Sequence, residues 1–262
     1  MSLIDLAKSA KRKSEQWLTA HPVVFHHVPK CGGTSVGRAL RQRYLLSQAT
    51  VTPEASFRAF EAFTGRSDRE QMLVDVLDLR EQMLLYLMFE EVRCVSLHVR
   101  FSIKAYELFS SQYKFITILR DPVERFISHY YWSYGKPGAH ARIEDDLPAF
   151  LETDRARRMG AMYVEFFCGL PKDADIRSDK AIAAAIANLE RFDVVGRLDD
   201  LPRFQGDLKT ALGVGVRIGH QNKSRSPSAQ KIDQISPTHL EAINNICEPD
   251  LNVWNKLFIL NS

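Results

Sequence analysis

The sequence predicts a three-layer α/β fold with a mainly parallel central sheet flanked by helices. Short apolar runs alternate along the chain with longer amphipathic or alanine-rich stretches, the pattern of strands interleaved with helices. Two of the runs, Val23–Val28 and Tyr113–Leu119, are rich in β-branched residues, as buried parallel strands are. Each is followed at once by a polar segment, and open α/β sheets bind ligands beyond the carboxyl ends of their strands.

The predicted elements follow one another in strand–helix order. The strands share β-branched or aromatic residues and are Val23–Val28, Arg93–Val99, Tyr113–Leu119 and Phe192–Val195. Most of the helices carry a start signal: Val36–Tyr44, one opened by Thr52-Pro53-Glu54, one from the capping box Ser67-Asp-Arg-Glu70 to about Glu91, Val123–Tyr134 behind Pro122, Ser178–Arg191, and one opened by Ser236-Pro237. The loop Gly213–Gln230 is rich in Gly, Ser, Lys and Arg and is interpreted as a mobile ligand loop.

An anion-binding loop is predicted directly after the first strand, where Lys30 is followed by two glycines and two hydroxyl residues. Glycine lets the backbone approach a ligand closely, and the amides and dipole of the following helix favour negative charge. Lys30 adds a full charge, and Thr34 and Ser35 add hydroxyl donors. The lysine precedes the glycines, unlike the G-x-x-x-x-G-K-[ST] loop of ATP- and GTP-binding proteins. A strand–turn–helix without a ligand is the alternative.

A second phosphate site is predicted where the strand Tyr113–Leu119 ends in Arg120-Asp121-Pro122. A guanidinium matches two phosphate oxygens, so an arginine at a strand end suits a phosphate. Ser128 lies eight residues further, about two helical turns, which places it on the same wall of a groove. The alternative is an Arg120–Asp121 pair that only orders the turn.

Two segments resemble the sulfotransferases that use PAPS (3′-phosphoadenosine 5′-phosphosulfate). The segment HVPKCGGTSV resembles their 5′-phosphosulfate loop, and ILRDPVERFISHYY resembles their 3′-phosphate segment. The branch most similar is the glycan-type group that includes heparan sulfate 2-O-sulfotransferase and bacterial relatives. Asn188–Arg197 and Gln221–Arg225 resemble a late strand and a C-terminal loop of that group, although Val195–Asp199 lacks the Glu often found there. The resemblance implies a P-loop-like fold.

The resemblance also implies the roles of individual residues. It assigns Lys30, Cys31, Gly32, Gly33, Thr34 and Ser35 to the 5′ phosphosulfate, with Lys30 stabilising the leaving phosphate oxygen. Relatives often carry threonine in place of Cys31, so its side chain is not expected to be essential. Arg120 and Ser128 are assigned to the 3′ phosphate, and Lys223, Ser224 and Arg225 to a segment closing over the nucleotide.

His98 is the candidate base, because it ends a predicted strand and imidazole titrates near neutrality. The setting of His98 also resembles the histidine-bearing strand end of the 2-O-sulfotransferase branch. A histidine hydrogen-bonded within the fold is the alternative, and Glu54 is a second candidate base. His26 and His27 point to opposite faces of the first strand, which places one inside the fold and the other nearer the site. The aromatic residues of Val123–Tyr134 are expected mainly to pack, with sugar stacking as the alternative.

Composition sets limits on the function. The chain has 262 residues and a net charge of +3, which is too small to indicate nucleic-acid binding. The four cysteines form no CxxC pair, so neither a metal site nor a disulfide framework is predicted, and a cytoplasmic location is expected. Residues 1–22 are expected to form a basic helix on the edge of one sulfotransferase domain, residues 23–262. Contact of this helix with a membrane surface is the alternative, and no transmembrane segment is predicted.

These observations favour a sulfotransferase that moves a sulfuryl group from PAPS to a hydroxyl of a carbohydrate, glycolipid or other acceptor. The product would be adenosine 3′,5′-bisphosphate, and no metal is required. A P-loop kinase for a small molecule is the first alternative and would use a nucleoside triphosphate with Mg²⁺. A non-catalytic nucleotide-binding protein is the second. The sequence does not name the acceptor, since fold does not determine it.

Overall fold

A computed structural model describes residues 20–136, 141–219 and 232–260. Most of the predicted N-terminal basic helix, residues 1–19, lies outside this part of the chain, as do Lys223, Ser224 and Arg225.

The centre of the fold is a sheet of five strands that all run parallel. The strands, with their bounds, are β1 (Val23–His26), β2 (Gln48–Val51), β3 (Cys94–Leu97), β4 (Lys114–Leu119) and β5 (Val194–Arg197). Their order across the sheet is β2-β3-β1-β4-β5. Every residue of β1 is fully buried, and Phe115 to Leu119 of β4 are buried beside it, so the sheet interior is the core of the fold. The predicted three-layer α/β class, with a parallel sheet flanked by helices, is confirmed.

The order of the strands creates a switch point between β1 and β4. From β1 the chain builds β2 and β3 on one side of that strand, and it then crosses to build β4 and β5 on the other side. Loops leaving the carboxyl ends of neighbouring strands diverge at such a point, which opens a crevice for a ligand. His26 pairs with Thr117 in the register of β1 and β4, so the segments beginning at His27 and Arg120 leave the same edge of the sheet.

The described helices pack around this sheet and on one another. They are α1 (Gly33–Arg43), α2 (Pro53–Thr64), α3 (Arg69–Phe89), α4 (Ile103–Phe109), α5 (Pro122–Ser133), α6 (Leu147–Leu151), α7 (Asp154–Gly160), α8 (Met162–Phe167), α9 (Asp179–Leu189), α10 (Leu201–Leu212) and α11 (Pro237–Phe258). Helices α1 and α3 contact β3, and α10 contacts β5. Helix α11 packs against α5, α7, α8 and α9. In the described part of the chain, the model contains no helix with the length and apolarity required for a membrane span.

Four predicted helix starts are present with the side-chain caps that the sequence indicates. Thr52 accepts from the amide of Ala55 at 3.4 Å, and Ser236 accepts from that of His239 at 3.3 Å. Asp121 and Ser178 cap α5 and α9 in the same way. Each hydroxyl or carboxylate satisfies an amide that has no partner within its helix.

The predicted capping box at Ser67 is wrong. Helix α3 begins at Arg69 with Asp68 at the N-cap position, and no side chain caps it. The guanidinium of Arg66 holds the Asp68 carboxylate, with Nε donating to Oδ1 at 2.8 Å, so this carboxylate does not turn to the helix amides.

Candidate active site

A cleft of about 1720 Å³ opens at the carboxyl edge of the sheet. Its wall takes residues from the segments that follow β1, β3 and β4, and from α5. The predicted site residues that line it are Lys30, Gly32, Gly33, Thr34, Ser35, His98, Arg120 and Ser128. The switch point therefore brings the two predicted phosphate segments and the candidate base into one cavity.

The loop after β1 is held by left-handed backbone at two positions. Lys30 has φ of 67° and Gly32 has φ of 74°, and the amide of Cys31 donates to the carbonyl of Val28 at 3.4 Å. The turn ends at α1, whose first residue is Gly33 and whose start has no side-chain cap. Gly33, Thr34 and Ser35, the first residues of α1, line the cleft, and the start of a helix favours an anion.

Packing requires Gly33, whereas the left-handed backbone is the main requirement at Gly32. A side chain at Gly33 would overlap the ring of His27, and one at Gly32 would overlap Leu198. The His27 ring is stacked on Phe25 at 5.6 Å and lies 4.0 Å from the ring of His98, so it cannot withdraw without disturbing both. Glycine at position 33 therefore allows the loop to lie close against the ring of His27, and not only close to a ligand.

The ammonium group of Lys30 lies on the cleft face of α5. Its Nζ is 5.1 Å from the centre of the Trp132 ring, and Nζ of Lys136 is 3.6 Å from the same ring. Both ammonium groups therefore make cation–π contacts with the Trp132 indole ring, and these contacts hold them at the cleft. Trp132 is 43% exposed, whereas Phe126 and Tyr130 of the same helix are buried. Most of the aromatic residues of α5 pack as predicted, but Trp132 lines the site.

Cys31 is the member of the loop that does not line the cleft. Its side chain is fully buried beneath the loop, with Sγ 3.5 Å from the hydroxyl of Tyr163. Burial raises the pKa of the Cys31 thiol to about 11, so it keeps its proton at neutral pH. The Cys31 thiol therefore does not line the cleft, and the assignment of Cys31 to the 5′ phosphosulfate stays a prediction.

Arg120 leaves the end of β4 and pairs with Glu124, one helical turn into α5. Its Nε and Nη2 donate to Oε2 of Glu124 at 3.0 and 2.7 Å. Asp121 instead accepts from the amide of Glu124 at 2.9 Å and caps the helix, so an Arg120–Asp121 pair is not formed. Arg120 and Ser128 line the same cleft, as the helical spacing predicts.

His98 lies one residue beyond the end of β3 and is a neutral group in this structure. Burial, with added repulsion from His27 and Arg80, holds the pKa of His98 well below 6.5. The Arg80 guanidinium fixes the His98 backbone by donating to its carbonyl at 3.2 Å. Within the described residues, Nδ1 of His98 has no hydrogen-bond partner. Nδ1 is itself buried, but a neutral imidazole at the cleft wall has the protonation state that a proton acceptor needs.

Sequence reasoning missed His129, the residue next to Ser128. His129 lines the cleft, and burial with repulsion from Arg125 and Lys30 lowers its pKa well below 6.5. In the part of the chain that the structure describes, its Nδ1 also lacks a partner. The sequence did contain a signal for His129. Ser128 and Trp132 lie four residues apart on one face of the helix, and His129 lies beside that face.

Another part of the cleft wall consists of ion pairs between arginine and glutamate side chains. Nη1 of Arg155 donates to Glu70 Oε1 at 2.9 Å and Nη2 donates to the carbonyl of Ala141 at 2.8 Å. Nε of Arg158 donates to Glu165 Oε1 at 2.8 Å. All four of these charged residues line the cleft. Arg100 is not among the residues that line it and forms an ion pair with Asp78. Glu54, the second candidate base, is at the cleft in the first turn of α2.

The segment carrying Lys223, Ser224 and Arg225 lies outside the described residues. The last residues before it, Ile218 and Gly219, line the cleft. Among the residues described, no group of three or more His, Cys, Asp or Glu is arranged to hold a metal ion.

The fold and the cleft define an α/β protein with a glycine-containing loop at the switch point of a parallel sheet. The chain belongs to the sulfotransferase family: the model of the Sulfotransferase family matches residues 18–261. A crystal structure of a sulfotransferase from Alicyclobacillus acidocaldarius is similar in fold, with 19% sequence identity and a TM-score of 0.51. That match covers 91% of this chain and 96% of the other. No curated protein matches the sequence.

Proposed function

We propose that the protein transfers a sulfuryl group from PAPS to a hydroxyl of a carbohydrate or glycoconjugate. The observation that carries the proposal is that Lys30 and Gly32–Ser35 line the same cleft as Arg120 and Ser128, from neighbouring parallel strands. PAPS is anionic at both ends, and two cationic sites in one cavity suit such a donor better than a single phosphate loop does. The family of the chain supports sulfuryl transfer in general.

In this proposal the reaction needs alignment and charge stabilisation. The acceptor oxygen attacks sulfur, the bond from sulfur to the bridging phosphate oxygen breaks, and adenosine 3′,5′-bisphosphate leaves. Lys30 and the first amides of α1 stabilise the charge on that bridging oxygen. The hydroxyl proton passes to the neutral His98. Arg120 and Ser128 bind the 3′ phosphate and hold the donor in line. This scheme assigns no role to a metal.

The cleft wall supports a polar, hydroxyl-bearing acceptor. The pairs Arg155–Glu70 and Arg158–Glu165 place both signs of charge on the wall, so hydrogen-bond donors and acceptors are interspersed. Trp132 adds a half-exposed aromatic ring, a surface on which a sugar ring stacks. The volume of about 1720 Å³ exceeds that of common small-molecule pockets, which leaves room for an acceptor beside the nucleotide.

Calorimetry followed by a transfer assay tests the proposal. We expect adenosine 3′,5′-bisphosphate to bind more tightly than ATP, with the same affinity in the presence of Mg²⁺ and of a chelator. Transfer of labelled sulfate from PAPS to a panel of glycans then identifies the acceptor. Tight Mg²⁺-dependent ATP binding would instead indicate the kinase alternative. Nucleotide binding without transfer to any acceptor in cell-extract glycans would indicate a protein that has lost turnover.

A further inference from the structure

Tyr163 connects the two phosphate segments from beneath the cleft. It lies in the first turn of α8, is fully buried, and is not among the residues that line the cavity. Its hydroxyl donates to the carbonyl of Arg120 and accepts from the amide of Arg120 at 3.0 Å. The same hydroxyl is 3.5 Å from Sγ of Cys31 in the loop after β1. One oxygen atom therefore contacts both segments.

The Tyr163 hydroxyl uses its proton and both of its lone pairs in these three contacts. A tyrosine hydroxyl has one proton to donate and two lone pairs to accept with. Its proton goes to the carbonyl of Arg120, so the hydroxyl can only accept in its contact with the protonated Cys31 thiol, whose one proton also has the carbonyl of Pro29 as an acceptor at 3.8 Å. The amide of Arg120 takes the remaining lone pair. A hydroxyl whose donor and acceptor positions all have partners has one orientation. The Tyr163 hydroxyl therefore fixes the backbone of Arg120 relative to the loop after β1.

The position of Tyr163 is in turn set by a buried ion pair. Oδ1 of Asp250 accepts from the amides of Tyr163 and Val164 at 2.8 and 3.2 Å. The guanidinium carbon of Arg125 lies 5.6 Å from the centre of the Tyr163 ring, and Nη2 of Arg125 is 3.7 Å from Asp250 Oδ2. Both side chains are fully buried, and burial raises the pKa of Asp250 to about 7. Arg125 of α5 thus contacts the ring of Tyr163, and Asp250 of α11 anchors its backbone amide, which together restrict the position of the hydroxyl.

We propose that Tyr163 is a positioning residue that sets the spacing between the Lys30 loop and Arg120, and so matches the site to both anionic ends of its donor. The inference rests on the proposed function, because it concerns how the donor nucleotide is recognised. Tyr163 acts through Arg120 and Cys31 and does not itself touch the ligand. Arg120 holds the 3′ phosphate only if its backbone is correctly placed, so selectivity for that phosphate should depend on the Tyr163 hydroxyl.

The test compares Tyr163→Phe with Tyr113→Phe. Tyr113 is also buried, and its hydroxyl donates to the carbonyl of Val92 at 2.9 Å, at the opposite end of β4. The readout is the 3′-phosphate preference: the dissociation constant of adenosine 5′-monophosphate divided by that of adenosine 3′,5′-bisphosphate. We expect this ratio to fall about three- to tenfold in Tyr163→Phe, the range of coupling through neighbouring polar groups. Tyr113→Phe should lower the melting temperature and leave the ratio unchanged.

The outcomes separate the two proposals. A wild-type protein without 3′-phosphate preference would remove both the proposed function and this inference. A wild-type preference that Tyr163→Phe retains would overturn the inference alone, because a purely structural tyrosine lowers stability without changing selectivity. Cys31→Ala provides a second variant should Tyr163→Phe fail to fold. It removes the contact of the hydroxyl with the loop, together with the longer contact of Sγ with the carbonyl of Pro29, and it leaves both bonds to Arg120 in place. We expect kcat to fall about threefold with the 3′-phosphate preference retained, and an unchanged kcat would also overturn the inference.

Discussion

At the level of single residues, the chemistry of the site depends on how burial changes the pKa values of its histidines. His98 is partly enclosed at the cleft wall beside His27, His129 and Arg80, and these neighbours all disfavour a second positive charge. The result is an imidazole that is already neutral at neutral pH. A base must be unprotonated before the acceptor arrives, so the depressed pKa keeps the whole population of the protein ready to accept a proton.

This state of His98 predicts a particular pH profile. For sulfuryl transfer, kcat/KM should be flat across neutral pH and fall only on the acid side, well below 6.5, since the pKa of His98 is lowered by burial. His98→Ala should bind adenosine 3′,5′-bisphosphate normally and lose transfer by about 10²- to 10⁴-fold. The control is His21→Ala, an exposed histidine that does not line the cleft. Half-maximal activity at or above pH 6.5, or full transfer by His98→Ala, would place the base elsewhere.

Residues whose role is local were predictable from the sequence. Lys30, the two glycines and the two hydroxyls act within one turn, and that turn can be recognised from the order of its residues alone. Tyr163 and Trp132 could not be assigned in this way. The contact of Tyr163 with Cys31 joins positions 132 residues apart. Trp132 stands among aromatic residues of the same helix, most of which pack, and only the tertiary structure shows which ring faces the cleft.

At the scale of elements, α11 shows how the fold accommodates a proline inside a long helix. Pro249 lies within α11, and because proline has no N–H, the carbonyl of Asn245 loses its usual partner. Arg177, from the segment before α9, supplies the missing donor. Its Nη2 donates to the carbonyl of Asn245 at 3.2 Å, and its Nη1 to that of Ile246 at 2.8 Å. Arg177 therefore stabilises α11, the helix whose Asp250 accepts from the amide of Tyr163.

Removing Arg177 should destabilise the protein. We expect Arg177→Met to lower the free energy of unfolding by about 1–3 kcal/mol, because it removes two hydrogen bonds, one to the carbonyl of Ile246 in a part-buried position and one to the exposed carbonyl of Asn245. Urea unfolding measures this change. Pro249→Ala restores an N–H in the helix, so Arg177→Met should cost less in the Pro249→Ala background than in the wild type. Equal losses in both backgrounds would show that Arg177 acts independently of the proline.

Among the described strands, β2 is the one that sequence reasoning did not find, and helices α4, α6, α7, α8 and α10 were not predicted either. The residues of β2, Gln48–Val51, lie at the edge of the sheet, and only Val51 is buried. An edge strand with mostly solvated side chains shows neither an apolar run nor a clear alternation, so its pairing with β3 is decided by tertiary contacts. The buried strands carry a stronger pattern, and β1, β3 and β4 lie within their predicted ranges. Strand β5 begins two residues later than predicted and extends to Arg197.

At the scale of the whole molecule, the burial of histidines links stability to pH. His26 is fully buried, with its ring 6.0 Å from that of Phe115 and 5.1 Å from that of Phe192. Burial lowers the pKa of His26 to about 4, and His27 is lowered to about 4 by burial and by nearby Arg41 and Lys30. Below pH 6.5 the unfolded chain binds protons at these histidines while the folded protein does not. Their contribution to stability is therefore complete above pH 6.5 and is lost as the pH falls towards 4.

Replacing His26 should flatten this dependence. Each histidine with so low a pKa adds a slope of about 1.4 kcal/mol per pH unit between its folded and unfolded pKa values. We expect His26→Leu to lower stability at neutral pH through imperfect packing, and to reduce the slope between about pH 5 and 6 by about one proton. Urea unfolding at several pH values measures both quantities.

Phe101→Leu is the matched control for His26→Leu, because the Phe101 ring is 6.3 Å from that of His26 and carries no titratable group. It should lower the unfolding free energy by a similar amount at every pH and leave the slope equal to that of the wild type. If His26→Leu also keeps the wild-type slope, His26 is protonated to the same extent in the folded and unfolded chains. The acid sensitivity of the fold would then arise from His27, His98 and His129 at the cleft, and the site would lose its structure before the aromatic core around β1.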